Sequence, residues 1–407
     1  MRILHVYSGN MFGGVENFLV TLARCRDFVP DLEHHFALCF EGRLSRELEA
    51  CAAPVHRLGP VRARYPLSVW RGRRRLDACL RGTDFDIVIL HCEWPMAIFG
   101  PVARRSGIPV VFWNHSFIEN RHWYQRWAKQ TVPDLAISTS RTTEATVAQL
   151  YPGVRSTWIH CPMILDPFLT SETTARQKLR LDLKTPEDAT VIVQASRLEP
   201  LKGHRQLLDA LGQLAQLPGW VCWIAGGAQR PDQRCYLEEL RHMAKTLKIA
   251  DRVHFLGERA DIATLLNAAD VYCQPNEQPD GFGLCFVEAL AARLPVVTTS
   301  IGGALEVVDE DCGMLTPPGE SAQLASALRT LIEDHDLRCR LGANGPARAR
   351  QLCDAGQQFR KIAEVLDSLV PQQLSMNSDS AWPPHWWPTQ RRSSPNRTKR
   401  VKPPTLN

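Results

Sequence analysis

DVYCQPNEQPDGFGLCFVEALAARLPVV, residues 270–297, is the stretch on which the reading of the fold turns. Val271 to Gln274 is short and apolar, which predicts a strand. NEQPDGFG follows as a loop, because proline and glycine punctuate regular structure. LCFVEALAA has helical spacing, and PVV opens another strand. Strand, helix and strand in this order make one βαβ unit of a parallel sheet. Two acids sit in the unit at unequal depth: Asp280 before the Gly-Phe-Gly turn, and Glu288 about one turn into the helix. Amides of Gly281 and Gly283 at the helix start suit a phosphate. Asp280 then stands near a reacting centre and Glu288 accepts hydrogen bonds from a ribose. The plainer alternative is an N-capping aspartate and an ordinary helical glutamate.

The same alternation extends in both directions. RILHVYS, HHFALCF, DIVILH, PVVFWNH and DLAISTS predict strands in the first half; TVIVQAS, WVCWIAGG, RVHFLG, DVYCQP and PVVTTS predict them in the second. Helical stretches such as ENFLVTLARCR and HRQLLDALGQLAQL lie between them. The expected fold class is α/β, with two doubly wound Rossmann-like domains facing a central cleft. The boundaries read as 1–165, 166–370 and a tail, 371–407. SETTARQKLRLDLKTPEDAT reads as a polar linker. A helix near 355–368 closes the second domain or crosses back to the first. The tail is rich in Pro, Ser, Trp and Arg and cannot bury a core, so it reads as disordered.

No run of 18 apolar residues suggests a membrane span, and MRILHVYS is not a signal peptide. Thirteen scattered cysteines without a CxxC pair predict reduced thiols in a cytoplasmic chain. The net charge of +5 is unevenly spread. Residues 1–165 carry 20 Lys and Arg against 14 Asp and Glu, and residues 166–370 carry 22 against 28. RARYPLSVWRGRRR supplies much of the first excess. It is either a solvated helix face or a patch for an anionic membrane or acceptor, the latter implying peripheral placement at the inner face of a membrane. No recognised module accompanies the charge, which argues against nucleic acid. HWYQRWAK, residues 122–129, fits an acceptor site, a membrane face or helix packing. Asp84-Phe85-Asp86 has the form of a metal-binding DxD, but its place before DIVILH favours a turn and strand start.

Two further glycine and cation clusters bear on chemistry. Gly13 and Gly14, in SGNMFGGVENFL, sit between a strand and a helix start, where a ligand can approach the backbone. GxGxxG is not matched, so a hydride-transfer dinucleotide fold is poorly supported. In QASRLEPLKGHRQLL, Arg197 and Lys202 follow a strand end and can neutralise a diphosphate.

The order GGVE, SRLEPLKGH, AGG, DRVHFLG, DVYCQP, DGFGLCFVEALAARLPVV and SIGGALEVV resembles the GT4-type (group 1) glycosyltransferase family, of GT-B fold. The resemblance is strong from about 190 to 350 and looser before, where it rests on Gly13, Gly14 and the HS of WNHSF. It implies a retaining, metal-independent transfer of a sugar from a UDP- or GDP-sugar donor to a glycan or lipid-linked acceptor. It places Arg197 and Lys202 on the diphosphate, Glu288 on the ribose, and Phe282, Gly283 and Leu284 along the donor phosphates. His115 lies near the donor sugar, Gly14 under the diphosphate, and Asp280 at the first acid of the E-x7-E pattern. The family usually has Glu where Asp280 stands, and Gly where Arg293 stands; Glu277 is a substitute for the first acid. A loop near Glu258 and Arg259 is the expected place for the base. The alternatives are a non-catalytic nucleotide-sugar-binding relative and another GT-B enzyme such as a sugar phosphorylase.

Overall fold

The computed structural model describes residues 1–9, 13–119, 122–170, 173–228 and 230–370. The 371–407 tail, with its expected disorder, lies outside the described residues.

The first sheet has seven parallel strands: β1 (Arg2–Tyr7), β2 (Glu33–Leu38), β3 (Val55–Arg57), β4 (Ile87–His91), β5 (Val110–Asn114), β6 (Leu135–Ser138) and β7 (Ser156–Trp158). Their order is β3-β2-β1-β4-β5-β6-β7. The second has six: β8 (Thr190–Ala195), β9 (Trp220–Ala225), β10 (Val253–Gly257), β11 (Val271–Gln274), β12 (Val296–Thr299) and β13 (Gly313–Thr316), ordered β10-β9-β8-β11-β12-β13. Each order reverses once, between β1 and β4 and between β8 and β11. Open parallel sheets bind ligands at that reversal, outside the carboxyl ends of the strands.

Apolar layers cover both faces of each sheet, which is why the central strands read as nearly continuous hydrophobic runs. Three strands escaped the sequence reading: β3, β7 and β13. Each has three or four residues and sits at a sheet edge, where half-burial weakens the apolar signal.

The supposed linker is ordered. Thr173–Asp182 forms a helix, and Arg176 and Arg180 both reach the Asp270 carboxylate, at 2.7 and 2.5 Å. Arg180 is buried and also donates to the carbonyls of Ala268 and Ala189. A polar sequence therefore became structure, because its cations cap one acid and several carbonyls of the second sheet. The last helix, Ala355–Asp367, packs Phe359, Ile362 and Leu366 with Ile3 and Phe18 of the first half. Asp86 accepts from the Arg2 amide at 2.7 Å, a strand-start role.

Arg293 adopts φ +61°, in the left-handed region that favours glycine. The departure from the family's glycine thus costs backbone strain. All thirteen cysteines are free thiols.

Candidate active site

The three motif loops leave their sheets at the two reversals and meet. After β1, Gly13 precedes the helix Gly14–Arg24. Glu16 is buried in that helix and accepts from the Tyr7 hydroxyl at 2.8 Å, so it anchors the helix start. Burial pushes its carboxyl above the usual range. After β8, Arg197 leads into a short turn, Pro200–Lys202. Gly203 follows at φ +72°, and a Cβ there would stand 1.7 Å from the Pro275 carbonyl oxygen. Only glycine fits, and its absence of side chain lets the Lys202 turn lie against the end of β11.

After β11 comes the stretch quoted at the outset. Gly283 caps the helix Leu284–Ala291 at φ +94°. At Gly281 a Cβ would meet the His115 carbonyl oxygen at 2.2 Å, so the two halves touch backbone to backbone here. Ser140 of the first half donates to the Gly281 carbonyl at 2.6 Å. Phe282 is buried and stacks on His160 at 4.7 Å between ring centres. Glu306 reinforces the junction. It accepts from the amides of Arg141 and Thr142, at 3.1 and 2.8 Å, and lies 3.2 Å from His160 Nε2. Burial raises its carboxyl, but these hydrogen bonds outweigh it and hold the group below its usual range. Ser140, His160 and Glu306 carry no motif of their own; only their convergence marks them.

A cleft of about 610 Å³ results, a size that suits a nucleotide sugar. Gly13, Gly14, His115, Arg197, Lys202, Asp280, Phe282, Gly283, Leu284 and Glu288 all line it, as do Glu258 and Arg259. Glu277 is exposed and lies outside that wall, with Arg205 and Tyr236 among its charged and polar neighbours, so it does not replace the first acid.

The two acids of the opening stretch have different surroundings. Asp280 pairs with Lys202 Nζ at 2.5 Å and turns its other oxygen to the Gly281 amide at 3.0 Å. That amide is therefore engaged by its neighbour rather than free for a phosphate. Asp280 is not the N-cap either; Gly283 is. Glu288 has no hydrogen-bond or ion-pair partner among the described residues, and burial pushes its carboxyl up to about 7. Arg197 pairs with Glu199 at 3.0 Å and remains two-fifths exposed, so it can swing to a ligand. Lys202 is largely buried. His115, after β5, turns Nε2 to His91 Nδ1 at 2.9 Å, and burial lowers its pKa to about 3.

Two doubly wound sheets whose reversal points share one cleft define the GT-B architecture. A family model described as glycosyl transferases group 1 matches residues 175–348, and one described as Glycosyltransferase Family 4 matches residues 12–166. The lipopolysaccharide core biosynthesis mannosyltransferase LpsB of Rhizobium meliloti is 30% identical over 316 residues, covering 75% of this chain and 80% of that protein. A D-inositol 3-phosphate glycosyltransferase of Corynebacterium efficiens is 29% identical over 215 residues, 51% of this chain, and the match spans about half (49%) of that relative. Among solved structures, Anabaena HepE in complex with UDP-glucose superposes with a TM-score of 0.80 at 27% identity, covering 90% of this chain and 100% of that one. The chain belongs to the group 1 glycosyltransferases.

Proposed function

We propose that the protein transfers a hexose from a nucleoside diphosphate sugar to a glycan or glycolipid acceptor, with retention at the anomeric carbon and without a metal ion. The observation that carries this reading is the meeting, in one cleft, of Arg197, Lys202, the helix start at Gly283 and the unpartnered Glu288. Cations and a helix N-terminus suit the diphosphate. A carboxyl with no partner among the described residues suits ribose hydroxyls. HepE was solved with UDP-glucose, and a relative from Mycobacterium tuberculosis, 28% identical over 67% of this chain, is named as GDP-mannose-dependent. Both donor bases therefore stand as candidates, with Glu258 and Arg259, the expected neighbours of the base, among the residues that line the cleft.

In the transfer, the bond from the anomeric carbon to the phosphate oxygen breaks and a bond to the acceptor oxygen forms on the same face. The acceptor proton passes to the leaving phosphate. Negative charge grows on that phosphate, where Arg197 and a Lys202 released from Asp280 are preorganised to stabilise it. His115 lies across the cleft on the acceptor side, residues 1–165, and the nucleotide sugar sits on 166–370.

The acceptor side also carries an exposed aromatic and basic patch. Tyr65, Leu67 and Trp70 are exposed at the start of the helix Pro66–Gly82, with Arg64 over Tyr65 and Arg74 over Trp70. Trp123 and Trp127 are also exposed, on the separate helix Trp123–Ala128. The basic run is not uniform: Arg73 and Arg75 are spent on the Ile98 and Leu58 carbonyls. No helix among the described residues is long and apolar enough to cross a membrane. Such a patch fits peripheral contact with anionic lipid that holds the acceptor.

Calorimetric titration with UDP and with GDP in EDTA, repeated with anionic vesicles, tests the reading. Binding of one nucleotide is expected without added metal. Binding of neither, or binding only with Mn²⁺ present, overturns it and favours the non-catalytic or metal-dependent alternatives.

A further inference from the structure

Four histidines form a line beneath the cleft. His34 Nδ1 lies 2.9 Å from His5 Nε2, His5 Nδ1 lies 2.9 Å from His91 Nε2, and His91 Nδ1 lies 2.9 Å from His115 Nε2. The rings step across β2, β1 and β4 to the end of β5, all on one face of the first sheet. Side chains alternate along a strand, so residues 3 and 5, 87, 89 and 91, and 111 and 113 share that face. His5, His34 and His91 are buried. Apolar rings coat the line: Phe36 stacks on His5 at 5.2 Å, Phe18 lies 5.9 Å from His91 and 5.3 Å from His115, and Phe359 lies 6.2 Å from His34. No carboxylate bonds to any of the four among the described residues.

Burial without a counter-charge keeps such rings neutral. It lowers the pKa of His34 to about 4 and of His115 to about 3, and holds His5 and His91 well below the ordinary value, with neighbouring histidines adding to the effect on His5, His34 and His91. A neutral imidazole has one N–H and one bare nitrogen. Each of the three links needs one of each. Every link joins a Nδ1 to a Nε2, so a proton on one Nδ1 forces a proton on the next Nδ1, and the same holds for Nε2. The line has only two consistent states: all four rings Nδ1–H, or all four Nε2–H. Any single reversed ring sets two N–H groups or two lone pairs face to face, which costs a buried hydrogen bond twice over. The two states differ only at the ends, His34 Nε2 and the Nδ1 that His115 has left for the cleft. His34 Nε2 is sealed from solvent and has no partner among the described residues.

We propose that His91, with His5 and His34 behind it, is a positioning residue: the line locks His115 into one tautomer and so fixes whether the cleft meets a donor or an acceptor at its Nδ1. The proposal rests on the reading of His115 as a residue facing the bound sugar. It also gives that residue a defined role. A ring with one nitrogen tied to His91 can orient a hydroxyl, and its chain polarises it in a single sense. At the buried end an orphaned N–H costs more than an orphaned lone pair, so His34 Nε2 favours the state with all four rings Nδ1–H before any ligand binds.

The test is nitrogen-15 NMR of the full chain labelled at histidine, without ligand. In the wild type, His5, His34, His91 and His115 are expected to show one shared tautomer across neutral pH. In His91→Phe, which keeps a ring of similar size but no hydrogen bond, His115 is expected to become a mixture of tautomers. In His91→Gln, whose amide both donates and accepts, one tautomer is expected to persist. Mixed or opposed tautomers in the wild type overturn the proposal, whatever the variants do. So does a single unchanged His115 tautomer in a folded His91→Phe protein. UDP titration reads the other half of the cleft, so a failure of nucleotide binding and a failure of the histidine line are separately visible.

Discussion

The first half brings to the cleft the neutral ring of His115, backed by three more neutral rings and a coat of phenylalanines, with Arg43, paired to Glu47, its one charged side chain among the described lining residues. The second half brings Arg197, Lys202, Asp280 and the raised acid Glu288. Both do so from the carboxyl ends of parallel strands: His115 follows β5, one strand from the first reversal, and the second-half residues follow β8 and β11, which flank the second. The sheet thus determines where a site forms, and the loop residues determine what it does. A charged wall suits a leaving diphosphate. A neutral ring such as His115 suits hydroxyls, whose orientation depends on hydrogen-bond sense rather than on field. Where the walls meet, Ser140 and Glu306 hold them with hydrogen bonds to and from the backbone.

The largest effects should separate the walls. Arg197→Ala and Lys202→Ala are each expected to weaken UDP binding by about 10- to 100-fold, from charge-assisted hydrogen bonds worth roughly 1.5–3 kcal/mol. Lys202→Ala should cost more, since Asp280 would then face the phosphates unopposed. The matched change across the cleft, His115→Phe, should alter UDP affinity by about twofold or less while removing transfer. Calorimetry with the three variants decides; an equal loss from both walls would erase the division drawn above.

An intermediate effect concerns Glu288. Its carboxyl titrates near 7 in the folded protein, above its ordinary 4.5. Between those values the folded chain keeps a proton that the unfolded chain has lost, so stability falls as the pH rises through this window. Thermal unfolding should show a loss on the order of 2 kcal/mol between pH 5 and pH 8 from this group, with part of the shift discounted for its partial exposure. Glu288→Gln should flatten that slope. A wild-type and variant with parallel pH profiles would mean that Glu288 is already ionised, and the acid would join the charged wall outright.

The smallest effect lies outside the cleft. Arg293→Gly should raise stability by about 1 kcal/mol, because the exposed arginine sits at φ +61° where glycine carries no penalty. Denaturant unfolding checks it, and UDP affinity should not change. A loss of stability would show that the unfolded-state entropy of glycine outweighs the strain.

The central strands, the two parallel sheets and the three motif loops were legible because their signals are local. Apolar runs, glycine turns and cations beside them sit within a few residues of one another. The edge strands β3, β7 and β13 were not, since three or four half-buried residues give too little pattern. The helix Thr173–Asp182 read as linker because its stabilising partner, Asp270, lies about ninety positions on. Glu277 was a reasonable stand-in for a first acid by spacing, and failed because its loop turns it away from the cleft.

By itself the sequence determined the fold class, the family and ten of the residues that line the cleft, because glycine, cation and apolar patterns act through short-range sterics and burial. Only the tertiary structure decided how those residues are paired. It set Lys202 on Asp280, left Glu288 without a partner among the described residues, put Glu306 across the junction, and drew His34, His5, His91 and His115 into one line. Those histidines come from three strands and the loop that leaves a fourth, and no spacing along the chain encodes a contact that parallel pairing creates between them.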